Sequence, residues 1–137
     1  MSFTSPTDDI IIQEGTFAFD YTASGTVYGG QCVVPEHGPG NVGMYVKAAG
    51  TTTAGAVDNF IGVAAYQADN GEKVAVYGPG NIVRCIVSGA SNCNIGDDLM
   101  TAYEGKVTQD GAAAGKKIGV ALETQATANG TVKVLLT

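Results

Sequence analysis

Between Asn59 and Ser88 the chain reads NFIGVAAYQADNGEKVAVYGPGNIVRCIVS. Short apolar, β-branched runs are separated there by turn-forming residues, a pattern of strand, turn, strand, turn, strand. Ile61–Tyr66 is the first run, and Asn70-Gly71 predicts a tight hairpin, because that pair suits the positive backbone angles of a type I′ turn. Val74 and Val76 continue as a strand, and Gly78-Pro79-Gly80-Asn81 turns the chain again. Ile82–Val87 is apolar on both faces and predicts a strand buried on both sides. Arg84 is the one charge in that run, with no evident partner in the sequence.

The same unit returns near the C-terminus. Ile118-Gly-Val-Ala121 repeats Ile61-Gly-Val-Ala64, and each copy leads to a polar stretch, an Asn-Gly pair and an alternating strand. In the second copy that strand carries Val132, Val134 and Leu136 inward. Two copies are too few for a stacked solenoid, so they are read as two matching hairpins of one closed β-structure.

The rest of the chain fits that frame. Gly15–Tyr21 alternates Phe17 and Phe19 against Thr16, Ala18 and Asp20, as a half-buried strand does. Val27–Val34 is a second run, interrupted by Gly29-Gly30, where a bulge or close backbone approach is expected. Met44–Ala48 is a strand, and Gly96-Asp97 turns into another that reaches Tyr103. Glu104-Gly105 turns again into Lys106-Val107-Thr108. The Ala-rich stretches around Ala54 and Ala112–Ala114 are broken by glycine and read as loops. The fold class is therefore all-β: a small single-domain barrel or sandwich of roughly eight to ten short antiparallel strands. Residues 15–137 form this core, and residues 1–14 form an extended arm. Within the arm, Ile10-Ile11-Ile12 reads either as a strand that pairs with another chain or as the first core strand.

Charge narrows the partners. A formal net charge of -6 with only seven scattered Lys and Arg excludes a nucleic-acid backbone as the main partner, since that affinity rests on clustered cations. No run is long enough to span a membrane, and MSFTSPTDD lacks the basic and apolar regions of a secretory signal. Three cysteines, Cys32, Cys85 and Cys93, are an odd number and are expected as free thiols, with Cys85 in the core.

Catalytic chemistry finds little footing. Gly38-Pro39-Gly40-Asn41-Val42-Gly43 satisfies G-x-G-x-x-G, but a strand rather than a helix follows it, and Gly78–Asn81 nearly repeats it as a turn. His37 is the only histidine, and no nucleophile motif accompanies it. The cysteines lack zinc-ligand spacing. Asp8-Asp9 and Asp97-Asp98 read as solvated or turn-capping acids. No enzyme activity, cofactor or metal is expected.

In order and spacing, these motifs resemble the capsid decoration, or cement, proteins of tailed bacteriophages, and more distantly the head decoration proteins of lambdoid phages. The residues that carry the resemblance are Glu14-Gly15 before the first strand, the IGVA strand with its Gly-initiated valine strand, and the apolar strand from Ile82 to Gly89. They continue with Gly96, Asp97 and Leu99, then IGVAL from Ile118 to Leu122, and the terminal run from Val132 to Leu136. The resemblance implies a structural protein made in the host cytoplasm, which binds the outer surface of the mature icosahedral head and clamps neighbouring major capsid proteins. It also implies a homo-oligomer, with a trimer favoured and a dimer or monomer left open. A different phage structural module, from a tail or fibre or with a glycan-binding role, is the alternative. On the capsid reading the arm is the docking element. Ser2, Phe3, Thr4, Ser5, Pro6 and Thr7 form its polar lead, and Ile10, Ile11 and Ile12 supply strand pairing and apolar anchors.

Overall fold

The computed structural model describes residues 18–36, 44–49, 60–88, 93–109 and 117–137. Ten strands run through them: β1 (Ala18–Ala23), β2 (Cys32–Glu36), β3 (Tyr45–Ala48), β4 (Gly62–Ala64), β5 (Lys73–Tyr77), β6 (Ile82–Ile86), β7 (Asp98–Thr101), β8 (Val107–Gln109), β9 (Lys117–Ala121) and β10 (Thr131–Leu136). A single 3-10 turn at Tyr103–Gly105 is the only helical element among the described residues. The fold is all-β.

The strands form two five-stranded units with one plan. In the first, β1-β3-β2-β4-β5 is a closed barrel; in the second, the sheet order is β6-β10-β9-β7-β8. Read around the circuit, the second order matches the first, with β6 in the place of β1 and β10 in the place of β5. The seam matches too. Thr22 and Ala23 pair in parallel with Tyr45 and Val46, and Val87 makes one parallel bridge to Val107. Backbone bonds confirm the correspondence: Gly30 N to Ala64 O (2.9 Å) is matched by Gly96 N to Ala121 O (2.8 Å), and Ser24 N to Val46 O by Ser88 N to Val107 O, both 2.8 Å. The two IGVA copies therefore belong to two separate circuits, which corrects the reading of two hairpins within one closed structure.

The repeated glycine has a packing cause. A Cβ on Gly62 would strike the carbonyl oxygen of Tyr77, and one on Gly119 would strike that of Leu135. Only a residue without a side chain lets β4 lie so close to β5, and β9 to β10.

Two turns differ from expectation. At Asn70-Gly71 only the glycine takes a left-handed angle (φ 87°), and Glu72 N closes onto Asp69 O at 2.9 Å. A type I′ turn needs both residues left-handed. Here the connection is a longer loop from Ala65 to Glu72, pulled out of hairpin geometry because Ala68 pairs with Val27 and Gly71 N donates to Ala23 O. At the second pair Asn129 holds the left-handed angle (φ 63°) instead of its glycine. Val27–Val34 is likewise not one strand. Val27 makes an isolated bridge, Tyr28–Gln31 turns with Gly30 at φ 88°, and β2 begins at Cys32.

Two apolar clusters fill the molecule. Val27, Val33, Val46, Val74 and Val76, with Ala23, Ala64 and Ala68, occupy the interior of the first barrel. Leu99, Val107, Ile118, Val132, Val134 and Leu136 occupy the second unit, and Cys32, Val34 and Val63, which point out of the first barrel, join them. The first unit thus helps to fill the second. The tip between β7 and β8 strengthens this seam: Gly105 N donates to Ala49 O at 2.7 Å, and the buried Gln31 donates its Nε2 to Glu104 O at 2.7 Å.

Candidate docking surfaces

Ser2, Phe3, Thr4, Ser5, Pro6, Thr7, Ile10, Ile11 and Ile12 all lie outside the described residues, as do His37, the Gly38–Gly43 motif and Phe17. Ala18, the first residue of β1, stands opposite Tyr77, the last of β5. At this end of the barrel Phe19 is 55% exposed and Met44 is 58% exposed. Phe19 shares a face with Tyr21 and Ala23, which turn inward, but it sits at the rim. The alternation that makes Phe19 the buried side of its strand is therefore not realised, because at the barrel mouth its side chain is left exposed.

The charged residues singled out in the sequence resolve into structural roles. Arg84 Nη1 pairs with Glu123 Oε1 at 2.9 Å, and the same oxygen accepts Lys133 N at 3.1 Å. Asp97 Oδ2 accepts Asn94 N at 2.9 Å and closes its turn. Asp98 pairs with Lys117 at 3.1 Å. Turn capping and surface pairing account for both acids.

Cys32, Cys85 and Cys93 are free and buried. A hydrogen bond with the Cys32 thiol, and burial, push the Cys85 thiol well up. Burial, with the Asp97 carboxylate close by, pushes Cys93 up to about 11. Such thiols stay protonated and unreactive at neutral pH. Among the described residues no three His, Cys, Asp or Glu side chains come together in a way that could hold a metal.

One surface was not singled out in the sequence. Leu135 stands across from Ile82 on one side and Val120 on the other, so three apolar side chains share the outer face of the second sheet. The signal was the double leucine Leu135-Leu136. Strict alternation in β10 calls for a polar residue at 135, as Lys133 is two positions earlier.

A family model described as phage cement protein matches residues 12–136. No curated protein matches the chain. Among solved structures, the head fiber gp8.5 N base of bacteriophage phi29 is similar with a TM-score of 0.65 and 19% identity, over 88% of this chain and 93% of that one. At that identity the likeness establishes the fold.

Proposed function

This chain belongs to the phage cement protein family, and from that membership we propose that it binds the exterior of the mature icosahedral head and stabilises contacts between major capsid proteins. As a family member it is a structural protein associated with the phage capsid. The finer reading adds the outer surface, synthesis in the host cytoplasm, a homo-oligomer with a trimer favoured, and no catalysis. The observation that carries it is the family match, which spans residues 12–136.

The arm is the proposed docking element, with residues 1–14 as arm and 15–137 as core. Residues 2–12 contain few large apolar groups apart from Phe3 and the three isoleucines, plus a proline and two adjacent acids, so a partner surface has to order them. About ten extended residues reach roughly 30 Å, enough to pass from one subunit to the next. Ordering costs about 1–2 kcal/mol per residue, and strand pairing on a preformed sheet edge plus three buried isoleucines offsets it. Many copies on one lattice then make weak contacts collectively strong.

Deletion of residues 2–12 tests this. The truncated protein is expected to stay folded and to lose most of its affinity for expanded, undecorated shells, while the full chain binds those shells and not unexpanded precursors. If the truncated protein decorates and heat-stabilises shells as well as the full chain does, the arm reading fails. The likeness to a head fiber base supports the alternative of a fibre module. Immunogold labelling of virions separates the two: label spread over the head supports a cement role, and label confined to fibres or tail supports the other.

A further inference from the structure

Among the described residues, one face that is covered in the first unit is only partly covered in the second, where Met100 is buried and Leu135 is exposed. Outward from the first barrel, Cys32, Val34 and Val63 join the core of the second unit, and Phe60 and Tyr77 pack against it. Backbone register places Asp98, Met100, Val120, Lys117 and Leu135 at the corresponding positions of the second unit. Asp98 and Lys117 have become a surface ion pair there. Leu135 has not turned polar and is 36% exposed, between half-buried Ile82 and Val120. Leu122 follows on the same side, its N bonded to Lys133 O at 2.7 Å. Beside it Ile95, 67% exposed, sits in a turn held to Thr124 Oγ1 at 3.0 Å.

At the matching places the first unit has Ala18 for Ile82, Ala65 for Leu122 and Gly29 for Ile95. At these three places the second unit carries the larger apolar group, whereas Lys117 and Leu135 stand where the first unit has Phe60 and Tyr77. Gly29 has a packing reason for being small, since a Cβ there would come within 3.1 Å of Tyr66 Cα. Ile95 has no comparable reason for being large. Arg84 and Lys133 lie one row away, bridged by Glu123, and Lys117 stands at the edge. Three of the seven Lys and Arg therefore border this face, two of them already paired with Glu123 and Asp98.

We propose that Ile82, Val120, Leu122 and Leu135, with Ile95 beside them, form the core's own contact with the major capsid protein, seating an apolar surface edged by carboxylates. The inference rests on the capsid-binding reading and adds to the arm a second point of attachment. Size favours the shell over a second copy. A stable pair of proteins buries about 800 Å² on each side, drawn from roughly 20–30 residues, and five side chains fall well short. A patch this small serves a partner that is already tethered. On the arm reading the tether leads into β1, whose first residue, Ala18, stands opposite Tyr77, and Tyr77 leads through Gly78–Asn81 directly into Ile82.

The test compares the full chain with I95E and with L135E/I95E, measuring binding to expanded shells, self-association by sedimentation, and thermal stability. Ile95 lies in an exposed turn, so I95E keeps the fold intact even if the double variant is weakened. The expected result is several-fold weaker shell binding for I95E and at least about tenfold weaker for the double variant, with oligomeric state unchanged. Full shell binding by both variants overturns the inference. So does a change in self-association with shell binding intact, which would assign the face to a second copy. Failure of the unsubstituted chain to bind any shell would instead refute the capsid-binding reading beneath it.

Discussion

At the seam of the first unit, Thr22 and Ala23 pair with Tyr45 and Val46; at the seam of the second, Val87 and Val107 make the one bridge among the described residues. The interiors follow from that difference. The closed barrel is filled by valine and alanine from its own strands. The second unit, joined by one bridge, takes Leu99, Ile118 and Leu136 and also accepts Cys32, Val34 and Val63 from its neighbour. One backbone plan thus yields a self-contained unit and a unit completed by the first. The structural lesson is that a duplicated fold need not duplicate its core.

The strongest challenge to this comparison is at the paired glycines. Gly62→Ala and Gly119→Ala each place a Cβ against a carbonyl oxygen and against a valine Cγ1, at 2.6 Å from Val76 and 2.7 Å from Val134. Backbone cannot yield as a flexible side chain does, so each substitution is expected to cost about 3 kcal/mol. Urea unfolding followed by circular dichroism should show a single transition for both variants, because the shared core couples the units. A second transition in Gly62→Ala, with the second unit still folded, would break the claim that the second unit depends on the first.

Much of this was legible in the sequence and part was not, for identifiable reasons. IGVA and the alternation in β5 and β10 were visible because a buried strand next to a close neighbour needs that pattern. The full duplication was hidden because only these segments kept their letters. Gly29 corresponds to Ile95, Val27 to Cys93 and Cys32 to Asp98 in the two units, and nothing in side-chain chemistry links those pairs. Backbone hydrogen bonds reveal them. Arg84's partner, Glu123, lies 39 residues away, beyond any local pattern. The type of turn at Asn70-Gly71 was missed because tertiary pairing of Ala68 and Gly71 outweighed the local preference.

A smaller effect sharpens the same comparison at the seam. Gln31 and Asp97 occupy matching positions and both cap their own turns: Gln31 Oε1 accepts Tyr28 N, and Asp97 Oδ2 accepts Asn94 N, each at 2.9 Å. Gln31 alone also reaches the other unit, through Nε2 to Glu104 O. That carbonyl belongs to a residue in the left-handed region (φ 57°), a conformation costly for a residue with a Cβ. Gln31→Asp keeps the cap and removes the bond between units. It is expected to cost about 1–2 kcal/mol, and denaturant midpoints with an unchanged slope would measure it. No loss would mean that packing and the Gly105 N–Ala49 O bond hold the seam without it.

The smallest effect vanishes at neutral pH. Cys93 occupies the place that Val27 takes in the first unit, as the bridges Cys93–Gln125 and Val27–Ala68 show. Burial, aided by Asp97 and Cys85, raises its thiol to about 11, from an ordinary value of 9.0. The folded form therefore holds this proton over a range in which the unfolded chain has released it. Because the unfolded state then binds fewer protons, stability falls as pH rises. The contribution is complete below about pH 9 and is lost as pH climbs toward 11. Cys93→Val copies the first unit and removes the titrating group, so the stability of parent and variant should diverge between pH 9 and 11 and run in parallel below. The difference between the two proteins, and not either curve alone, is the measurement. Cys85, raised in the same direction by its bond to Cys32 and by burial, is present in both and leaves the variant a residual slope. If the two curves stay parallel through pH 11, Cys93 is no more perturbed than a thiol in water, and the second unit's core is wetter at that position than Val27's.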